Sequence, residues 1–342
     1  MLSRVKYMTG YTEIELSKLS FIEKEKLIYQ TDGDGDGNLY IQNKDTNSIY
    51  QVGKFEEPTI NNLLSILKKT PTNIKCKFHI LENVDIGSLQ ATLKQSDKAM
   101  VQVASNFNCL EMPSKHYLYD GYLNENAHTD TTQGPAAVFG PLVAYIYRTH
   151  YLKINLLSNV EEYFGKPING KISLNNDNIK KIISLSDIDI TEKIYKKCKI
   201  GIQENAEIIF DRNGTIDIED EHNKSIIDQV FVSSINLADS NLRNIDKTVK
   251  NQICKILLKI AYDGTMLSAI YRKRKNLYLT LIGEGSFQNP LNLVLEALVH
   301  SLNEYTKYSN LENIYLCLYK SDNKLIFESM KQMKLNYLSM VL

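Results

Sequence analysis

The sequence predicts an α/β fold in which a mainly parallel mixed sheet is covered on both faces by helices. Two observations carry this prediction: short apolar runs alternate with helical periodicities from about residue 58 onward, and the most β-rich runs are bounded by polar or glycine loops. The chain has 342 residues, 43% of them hydrophobic and 23% charged, so it can bury a sizeable core and is not broadly disordered. Lys and Arg number 40 and so do Asp and Glu, which leaves no global field for nucleic acid or an anionic membrane.

The first 55 residues read as an N-terminal extension. A loosely amphipathic helix over Glu13–Tyr29 precedes the acidic loop Asp32–Asn38, and a strand-like stretch ends in Tyr50–Phe55. Residues 56–342 read as one larger domain. Thr59 is placed to cap a helix through Lys68, Lys75–Glu82 reads as a strand and Asp85–Gln95 as a helix. Ala99–Ser105 reads as a buried strand that opens into a polar loop through Gln133, and a helix starts near Gly134-Pro135. Residues 152–225 are irregular and read as an insertion, with strands at Lys199–Gln203 and Glu207–Asp211. Ile226–Ile235 is another core strand. A long helix is marked by Ile253, Ile256, Leu257, Ile260 and Leu267, followed by the strand Leu277–Ile282, a helix over Leu291–Asn303 and the strand Asn313–Tyr319. In parallel sheets ligands bind outside the carboxyl ends of the strands, so the loops after Ser105 and Ile282 are the candidate site.

Several features exclude chemistry. Cys76, Cys109, Cys198, Cys254 and Cys317 are scattered and odd in number, which reads as reduced thiols and neither a disulfide framework nor a zinc site. Cys109 has no histidine in a context that pairs with it, so packing is preferred to a thiol nucleophile. No secretory signal is expected from the N-terminal residues, and Gly134–Tyr147 is too short to span a bilayer. Asp32, Asp34 and Asp36 match the first half of a calcium loop, but its twelfth position is Asn43 where a bidentate Glu belongs. A flexible acidic turn is therefore expected, with no metal and no cofactor. The run Arg272–Lys275 reads as a solvated turn at a helix end.

The loop Gly283-Glu284-Gly285-Ser286-Phe287-Gln288-Asn289-Pro290 between a strand and a helix can bring backbone N–H groups close to an anion. It is neither a GxGxxG fingerprint nor a Walker loop, which excludes nucleotide hydrolysis by the P-loop route. Near it in function stands the segment after Ala104. Ser105, Asn106 and Asn108 can hydrogen-bond sugar hydroxyls, and Phe107 offers a stacking face. Asp120, Glu125, Asp130 and then Thr131-Thr132-Gln133 follow. Several carboxylates beside an anion cradle suit glycosidic cleavage at a ribose, where one acts on the water and another on the sugar or leaving group. Taken singly, Asp130 could simply cap the helix and Asp120 could be a solvated turn residue.

Three strings, QVASNFNCLEM (102–112), DTTQGPAA (130–137) with IYRTHY (146–151), and LTLIGEGSFQNP (279–290), resemble the MavL-type macrodomain ADP-ribosyl hydrolases of Legionella and their relatives. The glycine loop also resembles that of poly(ADP-ribose) glycohydrolases, although no Gln-Glu-Glu string is present. The resemblance spans roughly residues 50 to 330. It implies a macrodomain-like three-layer α/β/α fold that removes mono-ADP-ribose from arginine on a host protein. Asp120 and Asp130 would then be catalytic, with Glu111 a further candidate. Ser105, Asn106, Phe107, Asn108, Thr132, Gln133, Gly283, Glu284, Gly285, Ser286, Phe287 and Asn289 would bind ADP-ribose. PSKHYLY (113–119) departs from the family pattern ahead of Asp120. The implied partner is an ADP-ribosylated protein, with ubiquitin and the mitochondrial ADP/ATP translocase as the family's examples. A soluble monomer delivered into host cytosol or to mitochondria by a bacterial secretion system is expected. The rival reading is a module that binds ADP-ribose without cleaving it.

Overall fold

The computed structural model describes residues 4–30, 37–68, 70–72, 75–111, 133–210, 224–319, 323–333 and 338–341. Ten strands form a sheet: β1 (Ile28–Gln30), β2 (Leu39–Gln42), β3 (Ile49–Glu56), β4 (Cys76–Glu82), β5 (Ala99–Ala104), β6 (Gly201–Ile208), β7 (Ser225–Val232), β8 (Asn276–Leu279), β9 (Asn313–Leu318) and β10 (Leu338–Val341). Their order is β1-β2-β3-β6-β7-β5-β8-β9-β4-β10. From β7 to β10 every pairing is parallel, and from β7 back to β1 every pairing is antiparallel. The central strands β5 and β7 are buried on both faces, as their apolar composition requires. The predicted α/β class with a mixed, mainly parallel sheet is what the chain adopts.

Helices cover both sheet faces. On one, Gln102 of β5 donates to Thr265 Oγ1 at 2.8 Å, which docks the 25-residue helix Lys247–Tyr271. The helix Leu291–Tyr305 packs beside it. On the other, Gln229 of β7 donates to Gln90 Oε1 and to the Ala137 carbonyl, joining the sheet to the helices Ile86–Gln90 and Gln133–Phe139. The result is three layers.

Several local details differ from the sequence reading. The helix expected over Glu13–Tyr29 is two helices, Glu13–Lys18 and Phe21–Glu25, because Ser20 opens a second capping box with Glu23. Its last residues belong to β1. The helix beginning near Gly134 stops at Phe139 and restarts at Leu142, since Pro141 cannot donate a helical N–H and restricts Gly140 before it. The two strands expected over Lys199–Asp211 are one, β6, with a bulge between Gln203 and Ala206 where Asn205 has φ +50°. β1 to β3 extend the main sheet by antiparallel pairing through β3 and β6, and β6 itself lies within residues 152–225.

The basic run after the long helix is not a solvated turn. Arg272 Nε and Arg274 Nε donate to Asp228 Oδ2 at 3.1 and 2.7 Å, and Arg272 also pairs with Glu204 at 2.8 Å. Asp228 is fully buried, and its other oxygen accepts the Asn205 N–H at the bulge. Two guanidinium groups compensate a carboxylate withdrawn from water. Asp228→Ala leaves both without their shared partner and should cost about 3 kcal/mol of unfolding free energy; urea denaturation measures it, and a loss near zero would show the cluster to be dispensable.

His150 ends the helix Leu142–His150, and burial pushes its imidazole down to about 4 from 6.5. Between those values the unfolded chain holds a proton that the folded chain refuses. Stability therefore falls as pH falls through that window. His150→Gln should flatten the drop in melting temperature between about pH 7 and about pH 5 relative to the parent chain.

Candidate active site

A cavity of about 420 Å³ lies at the carboxyl ends of β5, β7, β8 and β9, within the size range of small-molecule sites. Each strand end contributes: Ala104 and Ser105 after β5, Ser233 and Ser234 after β7, Thr280 to Phe287 after β8, and Cys317 to Tyr319 at β9. Glu111 and Gln133 complete the wall.

The glycine loop is rooted by buried polar groups. Tyr262, in the long helix, donates its hydroxyl to the Thr280 carbonyl at 2.9 Å and accepts the Ile282 N–H at 3.1 Å. Burial raises the phenol's pKa and keeps that proton in place. Gln102 Oε1 accepts the Thr280 N–H at 3.1 Å. Beyond this root, Gly283 turns the chain at φ +76°. A Cβ there would run into Ser234 Oγ and Asn289 Oδ1, so the position requires glycine twice over. Asn289 closes the loop: its N–H donates to the Gly283 carbonyl, and its amide donates to the Ile235 carbonyl at 2.7 Å. Among the described residues, the N–H groups of Gly283, Gly285, Ser286 and Phe287 have no acceptor. Such a run of uncommitted donors, followed by the start of the helix Leu291–Tyr305, suits an anion.

Several hydroxyls and amides around the loop are also unsatisfied. Ser234 Oγ, Thr280 Oγ1, Asn289 Oδ1 and both amide atoms of Asn106 are buried without a hydrogen-bond partner. Leaving such atoms dry is costly, and a polar ligand or its waters would repay the cost.

The sequence-predicted residues divide into five groups. Ser105, Gln133, Gly283, Glu284, Gly285, Ser286 and Phe287 line the main cavity, and so does Glu111, whose carboxyl lies against Gly134. Gln133 also accepts the Ile86 N–H at 2.9 Å and thereby anchors the neighbouring helix start. Asn106 and Phe107 line a side chamber of about 20 Å³ that shares Ser233, Ser234 and Phe287 with the main cavity. Phe107 is only 5% exposed and packs into the core, so its ring is not an open stacking face. Asn108 turns its side-chain oxygen to the Leu110 N–H and lines a third depression. Asn289 is buried behind the glycine loop, holding its shape. Asp120, Asp130 and Thr132 lie outside the described residues, as do Glu125, His116, His128, Asp32, Asp34 and Asp36. Among the described residues no cluster of three metal-ligating side chains occurs and no helix is long and apolar enough to cross a membrane.

Sequence reasoning missed Ser233, Ser234, Thr280, Cys317 and Tyr319. The two serines end the apolar run IIDQVFV, so a polar pair at a buried strand's carboxyl end was the available signal. Cys109 is fully buried with its thiol pKa raised by desolvation, as expected of packing; Cys317 is buried at the cavity wall and pushed up to about 12.

No protein-family model matches the chain, and no curated protein matches it. The solved structures it resembles include poly(ADP-ribose) glycohydrolases. One, from Deinococcus radiodurans in complex with ADP-ribose, is 10% identical over 82% of this chain and 93% of that one, with a TM-score of 0.49. Another, from Thermomonospora curvata, is 10% identical over 91% of this chain and 94% of that one, with a TM-score of 0.48. The likeness to the MavL-type family rests on the three sequence motifs.

Gly283 and Gly285 should separate shape from space. Gly283→Ala forces a side chain into the left-handed region and into Ser234, and should cost about 1–2 kcal/mol. Gly285 has open space where a Cβ would go, so Gly285→Ala should change stability by less than about 0.5 kcal/mol. Chemical denaturation of the two variants side by side checks the contrast.

Proposed function

We propose that the chain is an ADP-ribosyl hydrolase that releases mono-ADP-ribose from arginine on a protein. The observation that carries this reading is the cavity itself: a loop of uncommitted backbone donors faces the same space as the carboxylates Glu111 and Glu284. The donors suit a diphosphate, and the sugar-binding hydroxyls and amides around them suit a ribose. The resemblance of the three motifs to those of the MavL-type hydrolases supports the reading.

In the proposed reaction a water attacks the anomeric carbon of the ribose bound to the arginine nitrogen. The carbon–nitrogen bond breaks as the carbon–oxygen bond forms, and the transition state is oxocarbenium-like. A carboxylate beside the sugar stabilises the developing positive charge and takes the proton from water. The leaving nitrogen then takes that same proton from the carboxyl group, so arginine departs as a guanidinium that a further carboxylate can hold. Glu111 fills one of these roles from the cavity wall, and Asp120 and Asp130 are the other candidates from the motif. No metal enters the scheme.

Incubation with a protein mono-ADP-ribosylated on arginine, followed by mass spectrometry of free ADP-ribose, tests the proposal. Wild type should release ADP-ribose. Glu111→Ala and Asp130→Ala should each lower turnover by about a hundredfold or more while ADP-ribose affinity stays within about tenfold. Binding without release would establish the non-cleaving reader instead. Neither binding nor release would remove ADP-ribose from consideration.

A further inference from the structure

Behind the turn that follows β5 lies a second, larger cavity, of about 630 Å³, which the proposed reaction does not use. Asn108, Leu110, Arg148, Thr149, His150 and Lys153 are among the residues that line it. The chemistry of these groups is one-sided. Arg148 is 1% exposed, and its guanidinium has no carboxylate partner among the described residues. Its Nε donates to the Cys109 carbonyl at 3.3 Å and its Nη1 to Gln203 Oε1 at 3.0 Å, while Nη2 has no partner. Its planar face lies 4.3 Å from the centre of the Phe231 ring. Thr149 Oγ1 is buried and likewise unpartnered. Asn108 spends its oxygen on the Leu110 N–H, and its amide NH₂ has no acceptor among the described residues. Lys153 is exposed and its ammonium has no anionic partner among the described residues. No acidic side chain is among the described residues that line the cavity.

A guanidinium withdrawn from water without a counter-charge is among the more expensive things a fold can hold. Burial pushes Arg148 down to about 10 from 12.5, so it is still charged at neutral pH and still wants an anion. A planar fork with one unused N–H is a donor that matches a phosphate or carboxylate, and the residues bearing a hydroxyl and an amide, Thr149 and Asn108, line the same cavity.

We infer that this cavity is a second binding site, separate from the glycine-loop cavity, that takes an oxyanion on Arg148, Thr149, Asn108 and Lys153. Arg148 also holds the Cys109 carbonyl in the turn whose first residues, Ser105 and Asn106, line the main cavity and its side chamber. The anion would therefore sit against the back of that turn.

Titration calorimetry of the full chain with inorganic phosphate tests this at low ionic strength, with chloride as the control. The glycine loop could itself take phosphate, so the titration is repeated in Gly285→Asp, which places a negative charge in the open space of the main cavity. The site predicts saturable phosphate binding in wild type and in Gly285→Asp, weakened roughly tenfold by Thr149→Val or Lys153→Ala. Thr149→Val removes an unsatisfied buried hydroxyl, so its melting temperature should hold or rise while its affinity falls, which a purely structural threonine would not do. Arg148→Gln should abolish binding, and the two milder variants keep the test decisive if it fails to fold. Succinate titrated in parallel distinguishes a carboxylate from a phosphoryl occupant. Binding lost in Gly285→Asp but unchanged in Thr149→Val and Lys153→Ala would overturn the inference, and so would no saturation in wild type by either anion.

Discussion

The hydroxyl of Tyr262 bridges the Thr280 carbonyl, the first beyond β8, and the Ile282 N–H, and the candidate site depends on that bridge. A parallel strand ends with backbone groups that its neighbours no longer pair, and a buried strand end cannot leave them to water. Tyr262 takes two of them, and Gln102 takes the Thr280 N–H from the adjacent strand. The chain can then spend its next donors elsewhere. Gly283 turns without a side chain, Asn289 clamps the turn, and the N–H groups of Gly283, Gly285, Ser286 and Phe287 are left with no acceptor among the described residues. Uncommitted donors of this kind arise because the groups around them are satisfied.

The two ends of the parallel strands are built on opposite principles. Toward the amino ends, a carboxylate removed from water, Asp228, is matched by two guanidinium groups and a backbone N–H. Toward the carboxyl ends, Asn106, Ser234 and Thr280 are buried with polar atoms unmatched. The first arrangement holds the sheet, the bulge of β6 and the end of the long helix together. The second stores unmet hydrogen-bonding capacity where a polar ligand can use it. Arg148 repeats the second arrangement with a full charge at the back of the β5 turn.

Much of this was legible in the residues. The alternation of apolar runs gave the parallel strands in order. The glycine loop after LTLI, Ser105 and Glu111, all singled out in the residues, line one cavity. Gln133 lines it too but owes its position to a contact with Ile86, 47 residues earlier, which no local pattern encodes. Phe107 looked like a stacking platform because an aromatic in a polar stretch looks exposed; the structure packs the ring against the core. The run Arg272–Lys275 looked solvated because the acidic partners of its arginines, Glu204 and Asp228, lie on β6 and β7, far away in the chain.

By itself the sequence determined the α/β class, the order of its central strands and the chemical character of the loops. Those follow from periodicity, capping and glycine, which act over a few residues. Tertiary structure alone decided which loops share a cavity. It put Ser234 against Gly283, brought Asn106 and Asn108 against Gly170, and left Arg148 buried without an acid among the described residues. Each depends on which strands become neighbours, and that is settled by long-range pairing in the sheet, where residues far apart in the chain meet.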